Sequence, residues 1–110
     1  MAEATLTKTP TTTTEEVLTI LREALPELGQ RFAVTRLAVF GSVARGDQTP
    51  VSDVDILVDV GKPLGWEIVT LHDYLQEVLG VRVDLVTEDA VRHKPLLWRS
   101  ISEDLLDVEA

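Results

Sequence analysis

Two β-like runs joined by a tight turn constrain the fold of this chain more than any other feature. The runs are "VTRLAVF" (34–40) and "DVDILVDV" (53–60), and "GSVARGDQTPVS" (41–52) connects them. In the second run carboxylates alternate with apolar residues, so Asp53 and Asp55 share one face of the predicted strand. We therefore predict a sheet that buries one face and carries aspartates on the other.

Helices are predicted around these strands, because apolar residues recur at helical spacing in the flanking segments. Pro26 and Gly29 favour an end to the first helix, and Pro95 favours a break in the last. The alternation of elements predicts an α/β (α+β) sandwich with a small sheet. In chain order the predicted elements are a helix from Glu15 capped by Thr14, a strand at 34–40, a short helix in 42–46, a strand at 53–60, a helix at 66–79, a strand at 81–87 and a helix at 88–101.

Length and composition predict one domain, at 15–104. The Thr-rich segment 1–14 has no apolar periodicity and is expected to be a disordered leader, and 105–110 is expected to be a fraying acidic tail. No cysteine is present, which excludes disulfides and thiolate chemistry. The net charge of −9 disfavours direct binding to nucleic acid, and no apolar stretch is long enough to span a membrane. A cytoplasmic protein is expected.

The Gly41-Ser42 turn has the features of a phosphate-binding turn. Gly41 lets the chain turn sharply after a strand, because glycine has no Cβ to clash. A helix that starts at Ser42 would present unpaired backbone N–H groups and a hydroxyl to an anion. Taken alone, the same two residues also suit an ordinary strand-to-helix turn.

The aspartates indicate a cation site. Asp53 and Asp55 lie about 6–7 Å apart along one strand face, where two carboxylates repel each other unless a cation lies between them. Asp84 lies inside the third predicted strand, a position that aspartate disfavours, and would complete a three-aspartate cluster if the two strands are neighbours. A phosphate cradle beside carboxylates suggests metal-assisted phosphoryl or nucleotidyl transfer.

These residues carry a resemblance to a known family. "GSVARG", then "SDVD", then a lone Asp84 on a later strand resembles the signature of the DNA polymerase β-like nucleotidyltransferases, in the form found in minimal nucleotidyltransferase (MNT) domains. The resemblance implies that family's fold, a small mixed sheet with helices packed on it. It implies catalytic and Mg²⁺-binding roles, with one or two ions, for Asp53, Asp55 and Asp84. It implies nucleotide binding by Gly41, Ser42 and Arg45.

The resemblance also implies a partner and a reaction. MNT proteins are commonly antitoxins paired with an HEPN ribonuclease toxin, so the resemblance implies transfer of AMP from ATP to a tyrosine hydroxyl of such a toxin, within a hetero-oligomer. Two alternatives stay open: neutralisation of the toxin by binding and occlusion, and transfer to a small molecule. The short chain disfavours the second, because a small substrate needs another pocket wall.

Less specific interpretations accompany the individual residues. Asp53 and Asp55 also suit a solvated strand face, which is the interpretation retained for Asp59. Asp84 could form an ion pair with Arg82 or Arg36, and Arg45 could pair with Asp47. The remaining candidates have predominantly structural or surface interpretations. Ser52 suits a turn or a phosphate contact, and His72 and His93 suit the surface. Trp66 and Trp98 are expected to pack at element ends, and Trp98 could instead anchor a partner. The basic patch of 92–94 with Arg99 suits a solvated helix face, ATP or an acidic surface of the partner.

Overall fold

The computed structural model describes residues 13–49 and 52–109. The predicted α/β architecture is confirmed, with one further strand. The elements in chain order are α1 (Thr14–Phe32), β1 (Val34–Phe40), α2 (Gly41–Arg45), β2 (Val54–Val60), α3 (Glu67–Leu79), β3 (Val83–Thr87), α4 (Glu88–Arg92), α5 (Pro95–Glu103) and β4 (Leu106–Asp107). None of the described helices is long and apolar enough to cross a membrane.

The four strands form one mixed sheet in the order β3-β2-β1-β4. β1 runs antiparallel to both β2 and β4, whereas β2 and β3 are parallel. β2 therefore lies in the interior of the sheet and β3 at its edge. The parallel β2–β3 pair needs a crossover connection, which α3 supplies. Because β2 and β3 start at the same end of the sheet, residues near the start of each strand are neighbours.

Helices cover both faces of the sheet. On one face α1 and α3 pack on alternate residues of β1 and β2, and this side contains the larger core, with Leu21, Leu75 and Ile56 fully buried. On the other face α4 and α5 pack on Leu57 of β2 through Val91 and Ile101. The predicted alternation of β2 is confirmed. Val54, Ile56 and Val58 belong to the larger core, whereas Leu57 belongs to the core on the opposite face, which Asp55 shares by alternation.

The predicted bounds of the first helix are wrong at its C-terminal end. α1 continues through Pro26 and beyond Gly29 to Phe32. It then ends at Ala33, whose left-handed backbone (φ 57°) directs its N–H to the carbonyl oxygens of Gly29 and Leu28. A proline inside a helix costs about 3 kcal/mol. Here the last turn buries Leu28 and Phe32, and burying two large side chains offsets that cost.

The N-terminus of α1 begins one residue earlier than expected. Thr13, not Thr14, is the cap: its hydroxyl accepts a hydrogen bond from the Glu16 N–H, and the Glu16 side chain accepts one from the Thr13 N–H. This reciprocal pair is a capping box. Thr14 instead donates its hydroxyl hydrogen to the Val43 carbonyl, 2.5 Å away, and so joins α1 to α2. The remainder of the expected leader, residues 1–12, lies outside the described residues.

Two residues of the predicted acidic tail belong to the sheet, which corrects the expectation that this segment frays. Leu106 and Asp107 form β4 against Val39 and Ala38 of β1, and Val108 is buried. An ion network secures this edge: Arg36 of β1 donates to Asp107 at 2.8 Å and to the buried Glu88 at 3.0 Å. A two-residue strand is too short to show alternation, so the sequence pattern could not predict it.

The break predicted at Pro95 is confirmed. α4 ends at Arg92 and α5 begins at Pro95, where a missing N–H and a fixed φ suit the first turn of a helix. Thr87 caps α4 by accepting a hydrogen bond from the Ala90 N–H. The two short helices therefore lie one after the other on the face of the sheet that also contains Asp55.

Candidate active site

Asp55 and Asp84 come from adjacent strands and lie opposite each other in the β2–β3 register. Asp55 is also the register partner of Phe40, the last residue of β1 before Gly41. Phe40, Asp55 and Asp84 therefore form one row across β1, β2 and β3, and the Gly41-Ser42 turn follows directly after Phe40. The expected placement of Asp84 on the same side of the sheet as Asp55 is what the structure has.

Gly41 lies directly against the Asp55 carboxylate. Its backbone is left-handed, with φ +75°, and a Cβ added there would overlap the Asp55 Oδ2 atom. Both features require glycine, because an L side chain would be strained by the backbone angle and would displace the carboxylate. The turn and the carboxylate pair are therefore parts of one site.

The electrostatics of Asp55 are unusual for an aspartate. Burial, and then the negative charges of Asp84 and Asp53, raise the pKa of Asp55 to about 6, although the positive charge of Arg45 lowers it in part. A carboxylate that is desolvated and faced by two others is a site where a cation would relieve repulsion. Asp84 itself is solvent-exposed, because β3 is an edge strand.

Asp53 has a different partner from the other two aspartates. Its Oδ1 atom accepts a hydrogen bond from Arg82 Nε at 3.2 Å, and the Arg82 side chain is exposed whereas that of Asp53 is partly buried. Among residues 13–49 and 52–109, no group of three or more His, Cys, Asp or Glu side chains is close enough to hold a metal ion. The structure thus brings Asp55 and Asp84 together, while Asp53 is turned to Arg82.

The donor set nevertheless suits a hard divalent cation. Asp55 and Asp84 offer carboxylate oxygens from facing positions. Asp53 lies two residues before Asp55, and its ion pair with the exposed Arg82 holds it only weakly. Mg²⁺ prefers such oxygen ligands and commonly shares them with phosphates. Asp53, Asp55 and Asp84 are the residues that would hold it.

Ser42 and Arg45 both lie on α2. Ser42 is in the first turn, partly buried, next to Gly41. Arg45 is in the last turn and donates to Asp47 at 3.1 Å and to Asp104, at the end of α5, at 2.8 Å. The predicted pairing with Asp47 is therefore present. The sequence does not predict the contact between Arg45 and Asp104, because the two residues are fifty-nine positions apart and no local pattern links them.

The other singled-out residues have structural partners or lie apart from the aspartates. Arg36 binds Glu88 and Asp107, and Arg82 binds Asp53, so neither forms the ion pair considered for Asp84. Several residues fit their structural or surface interpretation: Ser52 accepts from Thr49 N–H, Asp59 accepts from Val60 N–H, and His72 and His93 contact the carbonyl oxygens of Val83 and Asp89. The expectation that Trp66 packs at an element end is wrong, because its side chain is 89% exposed.

Sequence reasoning missed two ion-pairing residues, Arg82 beside the aspartates and Glu88 beyond the other end of β3. Arg82 alternates with Asp84 in the third predicted strand, so its position on the acidic face could have indicated a partner for Asp53. Among the described residues, Glu88 is the one acidic side chain that is buried, and it binds both Arg36 and Arg92. No local signal distinguishes Glu88 from the neighbouring Asp89, because burial there depends on how α4 packs.

Comparison with known proteins agrees with this geometry. A family model described as a nucleotidyltransferase domain matches residues 18–108. The protein adenylyltransferase MntA of Thermococcus cleftensis is 43% identical over 81 residues, which are 73% of this chain and 82% of that relative. MJ0126 of Methanocaldococcus jannaschii, a candidate protein adenylyltransferase, is 40% identical over 95 residues, which are 86% of this chain and 96% of that relative.

Solved structures show the same fold. One described as a candidate minimal nucleotidyltransferase superposes with a TM-score of 0.68 at 36% identity, covering 83% of this chain and 92% of the other. A toxin–antitoxin structure with AMP-PNP superposes with a TM-score of 0.61 at 24% identity, covering 79% of this chain and 71% of the other. At that lower identity the second likeness concerns the fold alone.

Proposed function

The chain belongs to the nucleotidyltransferase domain family, as a minimal nucleotidyltransferase, and on that premise we propose that it transfers AMP from ATP to a tyrosine hydroxyl of an HEPN-domain toxin. The transfer neutralises the toxin, so the protein acts as its antitoxin. The similarity to protein adenylyltransferases over most of the chain supports AMP as the group and a protein as the acceptor. The reaction takes place in the cytoplasm.

One observation carries this proposal: the Asp55 carboxylate lies between Asp84 and the Gly41 turn. A carboxylate pair beside a turn with unpaired N–H groups suits a triphosphate and its cation better than either feature alone. The close approach of Gly41 to the Asp55 carboxylate supports one site that includes both the turn and the aspartates.

The chemistry of the step assigns a role to each residue. Gly41 and Ser42 bind the phosphates of ATP through the backbone and the hydroxyl. Asp53, Asp55 and Asp84 would hold the cation, and Asp84 accepts the proton of the attacking hydroxyl. The acceptor oxygen bonds to the α-phosphorus as the bond to pyrophosphate breaks. Mg²⁺, when bound, neutralises the charge that develops on the phosphates.

Arg45 has a supporting role in this scheme. It binds Asp47 and Asp104 and its charge reaches Asp55, so it joins α2 to α5 beside the aspartates. We assign it to orientation of the nucleotide-binding turn and to contact with the nucleotide from the exposed part of the guanidinium. The cofactor of the reaction is one or two Mg²⁺ ions, with ATP as donor.

Incubation with ATP, Mg²⁺ and the HEPN protein of the same locus tests the proposal. Intact-mass spectrometry should find one or more AMP units on the HEPN protein, and peptide mapping should place them on tyrosine. Asp55→Asn removes charge without changing volume and should abolish the transfer, while Asp59→Asn, on the same strand away from the turn, should not. Absence of AMP in a pair whose toxicity is neutralised would refute the transfer.

One observation favours a second candidate function, neutralisation by binding alone. Asp53 is paired with Arg82, and the described residues contain no assembled group of three acidic ligands. Under this alternative Asp55→Asn would still protect cells that express the toxin. Growth of such cells distinguishes the two functions.

A further inference from the structure

α5 exposes a group of apolar side chains near its start. The side chains of Leu96 and Leu97 are 82% and 43% exposed, and Pro95 beside them is exposed as well. A single exposed leucine is common on protein surfaces and does not indicate a binding site. Adjacent exposed leucines on one helix turn are less common and are typical of contact surfaces.

The charge around these leucines differs from that of the rest of the chain. Residues 90–102 contain no Asp or Glu, although the whole chain has 19 such residues and a net charge of −9. Arg92, Lys94 and Arg99 lie in this segment. Within the described part of the chain neither Lys94 nor Arg99 has an ion pair, and both are exposed. We call Lys94, Leu96, Leu97 and Arg99 the α5 surface.

The helix that carries the α5 surface is held firmly. Ile101 is buried with Leu57 of β2, and Trp98 packs against the same small core. Arg92 lies over the Trp98 ring at 4.8 Å and also binds the buried Glu88. A surface displayed on a fixed helix loses little conformational entropy when a partner binds, because its backbone is already ordered.

The α5 surface lies on the same side of the sheet as the aspartates. α5 ends at Asp104, which binds Arg45, and the charge of Arg45 acts on Asp55. From Leu96 to Asp104 the helix rises about 12 Å at its usual pitch. A protein bound along α5 would therefore lie on the side of the sheet that carries Asp55.

We propose that the α5 surface docks an acidic segment of the AMP-accepting protein, with an apolar side chain of that segment between Leu96 and Leu97. This inference rests on the proposed function and names the surface by which the acceptor is recognised. Charge complementarity supports an acidic occupant, since Lys94 and Arg99 are the unpaired cations beside the leucines among residues 13–49 and 52–109. Apolar anchors inside a ring of charges are the usual pattern of such contacts.

The experiment compares AMP transfer to the HEPN protein by the full-length wild type and by two variants of the α5 surface, Leu96→Glu and the double variant Lys94→Glu with Arg99→Glu. Trp66→Glu is the matched control, because Trp66 is 89% exposed and precedes α3 on the other face of the sheet. Thermal unfolding checks that each variant folds. Initial rates give kcat and separate KM values for ATP and for the HEPN protein.

We expect both α5 variants to raise the KM for the HEPN protein about tenfold or more, with the KM for ATP unchanged and Trp66→Glu like the wild type. Added salt should raise the wild-type KM for the HEPN protein and should affect the charge-reversed variant less, because its cations are gone.

Four outcomes would overturn the inference, and they differ from one another. A wild type that transfers no AMP refutes the proposed function together with the docking surface. A wild type that transfers AMP, with α5 variants that have an unchanged KM for the HEPN protein, refutes the docking surface alone. A raised KM for ATP assigns the α5 surface to nucleotide binding. Sedimentation that shows a wild-type dimer and a Leu96→Glu monomer assigns it to a second copy of this chain.

Discussion

Asp55 faces Asp84 across the parallel β2–β3 pair, while its own Oδ2 atom fills the space that a Cβ of Gly41 would need. The two contacts link a strand-to-helix turn at Gly41 to two carboxylates that lie fourteen and forty-three residues further along the chain. Substitutions of Asp55, Gly41 and Arg82 perturb this arrangement, and a substitution of Glu88 perturbs the ion network beside α4.

Asp55→Asn should stabilise the protein in EDTA at pH 7.5. The raised pKa of Asp55 means that the folded state holds its proton more tightly than the unfolded state, so ionised Asp55 disfavours folding at neutral pH. After a discount for solvent screening we expect a gain of about 1 kcal/mol in the free energy of unfolding. Urea unfolding of both proteins measures it.

The pH dependence gives the sign of that effect independently. As pH falls from about 7 through 6 toward 4, wild-type Asp55 takes up its proton in the folded state first, so its penalty disappears. The advantage of Asp55→Asn should therefore shrink as pH falls below about 6 and be lost once pH is below the ordinary aspartate pKa of 3.8. An advantage that grows on acidification would contradict the raised pKa.

Gly41→Ala should destabilise the fold and abolish AMP transfer. The left-handed backbone alone costs about 1–2 kcal/mol for a residue with a Cβ, and the new methyl group also displaces the Asp55 carboxylate. Gly80→Ala is the matched control, because Gly80 has nearly the same φ of +73° and nothing within 4 Å of an added Cβ. Equal losses of stability in the two variants, with transfer retained in Gly41→Ala, would refute the close contact.

Arg82→Gln should tighten the binding of Mn²⁺ in the absence of nucleotide. Arg82 holds Asp53 in an ion pair that competes with a cation for the same carboxylate. Because exposed pairs contribute about 0.2–1 kcal/mol, the gain in affinity should be up to about fivefold. Electron paramagnetic resonance of free Mn²⁺ measures it, and Arg31→Gln, which removes an exposed pair on α1, is the control.

Glu88→Gln should destabilise the protein by about 1–3 kcal/mol, because two arginines lose a buried carboxylate. Arg36 keeps Asp107, which limits the loss. Glu27→Gln removes an exposed pair with Arg31 and should change stability by less than about 0.5 kcal/mol. Chemical denaturation that gives the same small change for both variants would show that the Glu88 network does not stabilise the C-terminal face.

Several elements could be predicted because their signals are local. The bounds of β1 follow from one β-branched and aromatic run, and the break at Pro95 follows from the chemistry of proline. The shared face of Asp55 and Asp84 follows from strand alternation once β2 and β3 are neighbours. The spacing of the three aspartates in the motif indicated that β2 and β3 are neighbours, which alternation alone does not indicate.

Other features depend on contacts that are distant in sequence. α1 continues past Pro26 and Gly29 because Leu28 and Phe32 are buried by the sheet and α3, and local propensity does not contain that packing. β4 exists because β1 has a free edge, where Arg36 holds Asp107. The pairing of Asp53 with Arg82 and of Arg45 with Asp104 likewise needs the assembled sheet.

The most direct test of the central claim is calorimetry of Mg²⁺–ATP binding to the wild type and to Asp55→Asn, with Asp59→Asn as the control. If Asp55 and Asp84 hold the cation beside the Gly41 turn, the wild type and Asp59→Asn should bind ATP only with Mg²⁺ present, and Asp55→Asn should lose that dependence and most of the affinity. Equal Mg²⁺-dependent binding by Asp55→Asn and the wild type would contradict it.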